Sequence, residues 1–197
     1  MNNVSGWLGY GWRNDKHEGV MHSKWIIAGL LAAMASGADA EERELKAYLE
    51  DAEGARIHVA DVTMQMDGRY DLSYAKEPFG DYFLSMRPFR CIAGSEKHWC
   101  HLPYPYENRR NVSADPTDLE YDFLFIWKDA TDYGIDTWNG VYYQLEANDD
   151  GWRGELNEVD MDVLAVPPDA GNFRPVEDKH LEPGDPDGHW LPWLVIE

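Results

Sequence analysis

Two polar turns, each set between runs of alternating apolar and polar residues, constrain this chain more than any other feature. Val62, Met64 and Met66 alternate with polar neighbours up to Asp67-Gly68, and Tyr70, Leu72 and Tyr74 alternate on the way back. Val141 to Glu146 and Trp152 to Leu156 flank Asn148-Asp149-Asp150-Gly151 in the same manner. A period of two sends successive side chains to opposite faces of a strand, and Gly after Asp or Asn supplies the backbone that a tight reversal requires. Both segments are therefore expected to be antiparallel hairpins with one apolar face. Ile57 and Val59 run out of phase with Val62, which predicts a bulge near Ala60-Asp61. Val159, Met161 and Val163 are one residue out of step with Trp152 and Leu156, which predicts another near Asn157-Glu158.

The remaining segments extend this pattern. Tyr82, Leu84 and Met86 alternate until Pro88, and Leu119 to Lys128 reads as the most apolar strand, with Leu119, Tyr121, Phe123, Phe125 and Trp127 on one face. In front of them, Leu45, Tyr48, Leu49 and Ala52 recur at helical spacing behind Glu41, Glu42 and Glu44, predicting one short N-terminal helix that Gly54 ends. From Val166 the chain holds six of its eleven prolines and no period survives, yet Trp190 to Ile196 is too apolar to stay in water. Residues 41–165 are thus expected to form a single, mostly β, antiparallel domain, and 166–197 an irregular Pro-rich tail that docks back on it. A small barrel shaped like a lipocalin-like cup and a two-sheet sandwich both satisfy the pattern. The barrel is favoured because the hairpins follow one another in sequence and six Trp and ten Tyr in residues 41–197 could fill or line a cup.

Met21-His22-Ser23-Lys24, an apolar stretch from Trp25 to Ala35, and the small-x-small ending Ala38-Asp39-Ala40 have the three parts of a secretory signal peptide over 21–40. Translation is expected to start at Met21, leaving 1–20 as an upstream extension, and cleavage to release Glu41 into the periplasm or the medium. No later segment approaches the roughly 20 apolar residues that a membrane helix needs. Residues 1–40 carry three basic and three acidic side chains, so the remaining 157 hold 14 basic against 34 acidic, and the charge stays at −20. Such a balance repels phosphate backbones and excludes nucleic acid as a partner.

Cys91 and Cys100 are the only cysteines, and Gly94-Ser95-Glu96 between them can turn a hairpin, so a disulfide between neighbouring strands is expected. Closing a ten-residue loop in this way stabilises the fold by about 2.5 kcal/mol on the chain-entropy model. His98 and His101 flank Cys100, but the spacing lacks the paired ligands of a structural zinc site, and no metal or cofactor is implied.

No Gly-x-Ser-x-Gly elbow or reactive thiol is present, and no catalytic residue is assigned. The aromatic residues in or beside the strongest strands, Trp127, Trp138, Tyr142, Tyr143 and Trp152, are the candidate ligand-binding set, since rings in a β cup bind apolar ligands by area and sugars by stacking. The leading reading is an exported, non-catalytic β protein that binds a small molecule, sugar or lipid, or another envelope protein. The alternative is a glycan-directed hydrolase using strand carboxylates, because Glu158, Asp160 and Asp162 would project from one side of a strand about 7 Å apart and Asp122 lies in the most apolar run. Asp185-Pro186-Asp187-Gly188-His189-Trp190 groups carboxylates, an imidazole and an indole in an irregular segment, where functional residues concentrate.

Overall fold

The structure, a computed structural model, describes residues 42–84 and 88–197; the export signal over 21–40 and the extension over 1–20 lie outside them. Both hairpins form as the alternation requires. β2 (Arg56–Met64) and β3 (Tyr70–Tyr74) pair with Val62 opposite Leu72 and Met64 opposite Tyr70, turning on Gly68 with its φ of 82°. β8 (Gly140–Ala147) and β9 (Trp152–Val159) pair along their full length. The bulge expected near Ala60-Asp61 sits one residue earlier, where Val59 is the extra residue between the pairs Ala47 with Ala60 and Tyr48 with His58. The second expected bulge is absent: β9 ends at Val159, and a 3-10 turn over Met161–Leu164 follows, with the Asp160 carboxylate accepting from the Asp162 N–H at 2.9 Å.

The other strands are β1 (Arg43–Glu50), β4 (Gly80–Phe83), β5 (Pro88–Ala93), β6 (Lys97–His101), β7 (Phe125–Asp129), β10 (Glu182–Pro183) and β11 (Trp193–Ile196). All pairings are antiparallel, and the sheet runs β3-β2-β1-β11-β9-β8-β7-β6-β5-β4, with β10 beside the end of β9. β3 and β6 stand seven places apart in that order, yet the rings of Tyr74 and His101 lie 4.4 Å apart. The sheet therefore curls around its apolar face. It does not close. The backbone N–H of Tyr70 on β3 is bonded to the Arg110 carbonyl at 3.1 Å, Arg69 bridges to Asn111, and the Ala75 carbonyl just beyond the strand takes the Arg90 side chain at 2.7 Å. With β3 engaged by a loop and a guanidinium, β4 is not paired to it. The expected barrel and the two-sheet sandwich are both corrected to one open, curled, eleven-stranded sheet.

The expected N-terminal helix is likewise corrected: 43–50 is β1, with Leu45, Ala47 and Leu49 buried on alternate positions. The helical spacing was available to this segment, but an isolated helix of that length is marginal, and here both edges gain a strand partner, β2 on one side and β11 on the other. The one α-helix among the described residues, α1 (Thr117–Asp122), instead occupies the first half of the run read as the most apolar strand. Pro116 precedes it, and the Asp115 carboxylate accepts from the Thr117 N–H at 3.0 Å. The helical turn sends Leu119 and Phe123 into the main core and Tyr121 into a second one.

The main core fills the concave face with twenty buried side chains, among them Trp99, Phe123, Phe125, Tyr143 and Leu194. The second lies on the outer face of β7–β9, where Tyr142, Ile126 and Val159 meet Met161, Leu164 and Val176. Among the described residues no helix is long and apolar enough to cross a membrane. Cys91 and Cys100 stand directly opposite each other on β5 and β6 and form the expected disulfide, both fully buried.

His101, also on β6, faces the main core against Tyr74 and Phe125 and contacts the Asp122 carbonyl at 3.2 Å. Burial pushes its imidazole down to about 4 from an ordinary 6.5, with the hydrogen bond to Asp122 opposing the shift. Between those values the unfolded chain binds the proton and the folded one does not, so acidification through this window destabilises the fold. Glu120 and Asp122 are pushed upward by burial and have the opposite sign. Comparing wild type with His101→Gln isolates the imidazole: urea denaturation at pH 7 and pH 4.5 should show the wild type losing about 2 kcal/mol more than the variant. Equal losses would show that His101 is not held neutral.

Candidate ligand-binding groove on the outer face

The aromatic residues singled out in the sequence divide between the faces of the sheet. Tyr142 and Tyr143 are neighbours on β8 and point oppositely. Tyr143 is fully buried in the main core, where its hydroxyl donates to the Leu191 carbonyl at 2.7 Å and accepts from the Trp99 indole at 3.2 Å. Tyr142 lies in the outer core and donates to the Glu120 carboxylate. Trp127 pairs across β6 and β7 with Trp99, and Trp152 stands opposite Ile196; both pack on the main core. Trp138, in a 3-10 turn over Thr137–Asn139, is 69% exposed. Trp127, Tyr143 and Trp152 thus share the concave face, Tyr142 and Trp138 do not, and the concave face is occupied by the protein's own side chains.

Glu120 and Asp122 fell on the second face of the run read as a strand; on α1 they and Asp118 each take a different partner. Asp118 takes Arg174 at 2.8 Å and the Asn111 N–H at 3.1 Å. Glu120 accepts from the Leu145 N–H at 2.7 Å, a donor on the β8 edge that faces α1 where β7 no longer runs. Asp122 accepts the Tyr70 hydroxyl at 2.8 Å and lies 3.4 Å from Arg110. The carboxylates named for hydrolysis are not a row: Glu158 bonds His189 at 2.8 Å, Asp160 caps the turn after β9, and Asp122 is buried beneath β3. Among the described residues no group of His, Cys, Asp and Glu is arranged to hold a metal ion.

A concavity of about 490 Å³ lies on the outer face over β8, β9 and β11. Gln144 and Glu146 of β8, Arg153, Glu155 and Asn157 of β9, and Trp193 of β11 line it, and the walls are the 183–186 segment, Pro192 and the Ala147-Asn148 turn. Strand pairing fixes the floor, for Gln144 stands opposite Glu155 and Glu155 opposite Trp193. The 183–186 wall is held by β10 and by the Gly184 N–H bonded to the Leu156 carbonyl at 3.1 Å. A Cβ at Gly184 would come within 2.4 Å of Leu156 Cδ2, so a larger residue here would have to displace the buried Leu156 side chain. None of the groove residues except Asp185 and Pro186 was legible as a site, because outward-facing positions of a strand read as solvated.

The Arg153 guanidinium lies 5.0 Å from the centre of the Trp193 ring and donates to Glu50 at 2.8 Å. Glu50, buried on β1, also accepts Arg56 at 2.6 Å, and Arg56 reaches Glu197 at 2.6 Å. Arg153 is thereby fixed across three strands, which orients the polar floor beside the indole. The arrangement offers one aromatic surface, amide and carboxylate groups and a pinned guanidinium. Such groups stack on and hydrogen-bond a polar, ring-shaped ligand, and none is set for nucleophilic attack. No family model matches the chain, and neither a curated protein nor a solved structure does.

Burial pushes the Glu50 carboxyl up, but hydrogen bonds and charge from Arg153 and Arg56 outweigh it and hold the group below its ordinary 4.5. Its contribution to stability is therefore full above that value and is lost as pH falls through the folded-state value. Glu50→Gln should cost about 1 kcal/mol at pH 7, a modest figure because both guanidinium groups are part exposed. Thermal melts should show the gap between wild type and variant narrowing from pH 5 to pH 3; a gap independent of pH would show that charge pairing contributes nothing.

Proposed function

We propose that this chain is an exported, non-catalytic β domain that binds a hydroxyl-rich ligand of the sugar class in the outer groove. One observation carries the reading: the Trp193 ring lies in a groove of about 490 Å³ among planar hydrogen-bonding side chains, Gln144, Asn157, Glu155 and a pinned Arg153. Sugars present apolar ring faces to indoles and hydroxyls to amides and carboxylates, and this pairing needs no cavity in the sheet interior. The filled concave face favours the outer surface over an internal cup. The buried disulfide supports an oxidising compartment, in keeping with the signal over 21–40 and cleavage after Ala40.

The test is a calorimetric and tryptophan-fluorescence screen of the purified, disulfide-bonded protein against soluble oligosaccharides of glucose, galactose and N-acetylglucosamine. At least one class should bind with little dependence on salt, Trp193→Ala should weaken it at least about tenfold, and the oligosaccharide should be recovered intact after incubation. Failure of every oligosaccharide, or binding that Trp193→Ala leaves unchanged, would overturn the assignment; recovery of shortened sugars would replace it with hydrolysis.

A further inference from the structure

The alternation of β7 sends Phe125 and Trp127 toward the main core and Ile126 and Lys128 to the outer face. Lys128 is only 4% exposed. A lysine is almost never buried so deeply without a carboxylate beside it. This chain has a net charge of −20, yet among the described residues no carboxylate pairs with Lys128. Its ammonium donates once, to the Asp129 carbonyl at 2.5 Å, and that same oxygen accepts the Asp132 N–H at 3.1 Å. The ammonium therefore sits at the base of the 130–139 loop, next to Asp132. Of its three N–H donors, two have no acceptor among the described residues.

The loop forms a pocket of about 490 Å³ whose lining includes Lys128, Asp132, Tyr133, Asp136, Thr137 and Asn139. Its two ends are tied down. The Ala130 N–H bonds the Glu96 carbonyl at 2.7 Å, and the Asp136 carboxylate accepts from the Trp138 N–H at 3.0 Å. Charge in the pocket is thus divided between one buried ammonium and two loop carboxylates. A buried ammonium is costly until an anion joins it, but a bare anion would meet Asp132 and Asp136 as like charges. A ligand carrying both signs meets neither penalty. In an α-amino acid the carboxylate and the ammonium hang from one carbon, so a small molecule presents both within a few ångströms. Lys128 and Asp132 converge on one carbonyl oxygen without forming an ion pair, a spacing that a single such zwitterion can join.

We propose that this pocket binds a free α-amino acid as its zwitterion, the ligand carboxylate pairing with Lys128 and the ligand ammonium with Asp132. The site shares no lining residue with the outer groove and does not depend on what that groove takes.

Calorimetric titration of the disulfide-bonded protein with each free L-amino acid in turn tests it. At least one should bind saturably with a Kd of about 1 mM or tighter, and its N-acetyl and amide derivatives, each lacking one charge, should bind at least about tenfold more weakly. Lys128→Met keeps the apolar stem and removes the ammonium; it should still melt cooperatively and lose at least about tenfold in affinity. Asp132→Asn, at an exposed loop position, should lose about threefold or more, and it reads the site even where Lys128→Met fails to fold. Trp193→Ala should leave amino-acid binding unchanged, which separates failure here from failure of the groove. Absence of binding by every amino acid would overturn the site. So would unchanged affinity in Asp132→Asn or in folded Lys128→Met, or an N-acetyl derivative that binds as tightly as its parent.

Discussion

The pairing of β11 with both β1 and β9 is the constraint on which the remaining architecture depends. β1, β2 and β3 form one antiparallel meander, and β4 to β9 form another; β11 is the strand that joins them in the sheet. The apolar end Trp193-Leu194-Val195-Ile196 serves both faces at once. Leu194 and Ile196 enter the main core, while Trp193 turns outward to floor the groove. The polar ties run across the same seam: Glu50 reaches Arg153 over β11, and Arg56 reaches Glu197 just past it. Groove geometry and core integrity therefore rest on the same four residues.

Much of the strand content was legible because alternation and turn chemistry are local. The hairpin on Asp67-Gly68, the one on Asn148–Gly151 and the Cys91–Cys100 bridge each depend on residues within a short span. The errors arose where tertiary partners decide. Leu45, Tyr48, Leu49 and Ala52 satisfy helical spacing, while Leu45, Ala47 and Leu49 equally satisfy a strand's; two neighbouring strands settle the choice. Closure or openness was illegible for a similar reason. It turns on whether β3 finds β4 or the 110–112 segment, and no period in either stretch encodes that preference.

The run from Leu119 to Lys128 shows the same limit from the polar side. Glu120 and Asp122 fall on the second face of the run read as a strand, with Asp118 just ahead of it, and all three are buried on α1. Their partners, Arg174, Tyr142 and Tyr70, are distant in sequence, so the helix that brings them together could not be inferred from spacing alone. The groove was hidden for the converse reason. Gln144, Glu155 and Asn157 look like ordinary exposed strand positions until the 183–186 segment is laid beside them. By contrast, Glu158 and His189 were visible as chemically capable residues, and only their union, 31 residues apart in the chain, required the fold.

The position of β11 also sets an order in time. Of the eleven strands it is the last to be synthesised, yet it is interior to the sheet, so the meanders made first have no complete surface to fold onto until it arrives. Pairing β11 with β1 brings together residues separated by most of the described chain, as in Ala47 with Ile196, and contacts of such separation form slowly. The local hairpins can form early, but the two meanders are joined into one sheet only once the last of the eleven described strands is present.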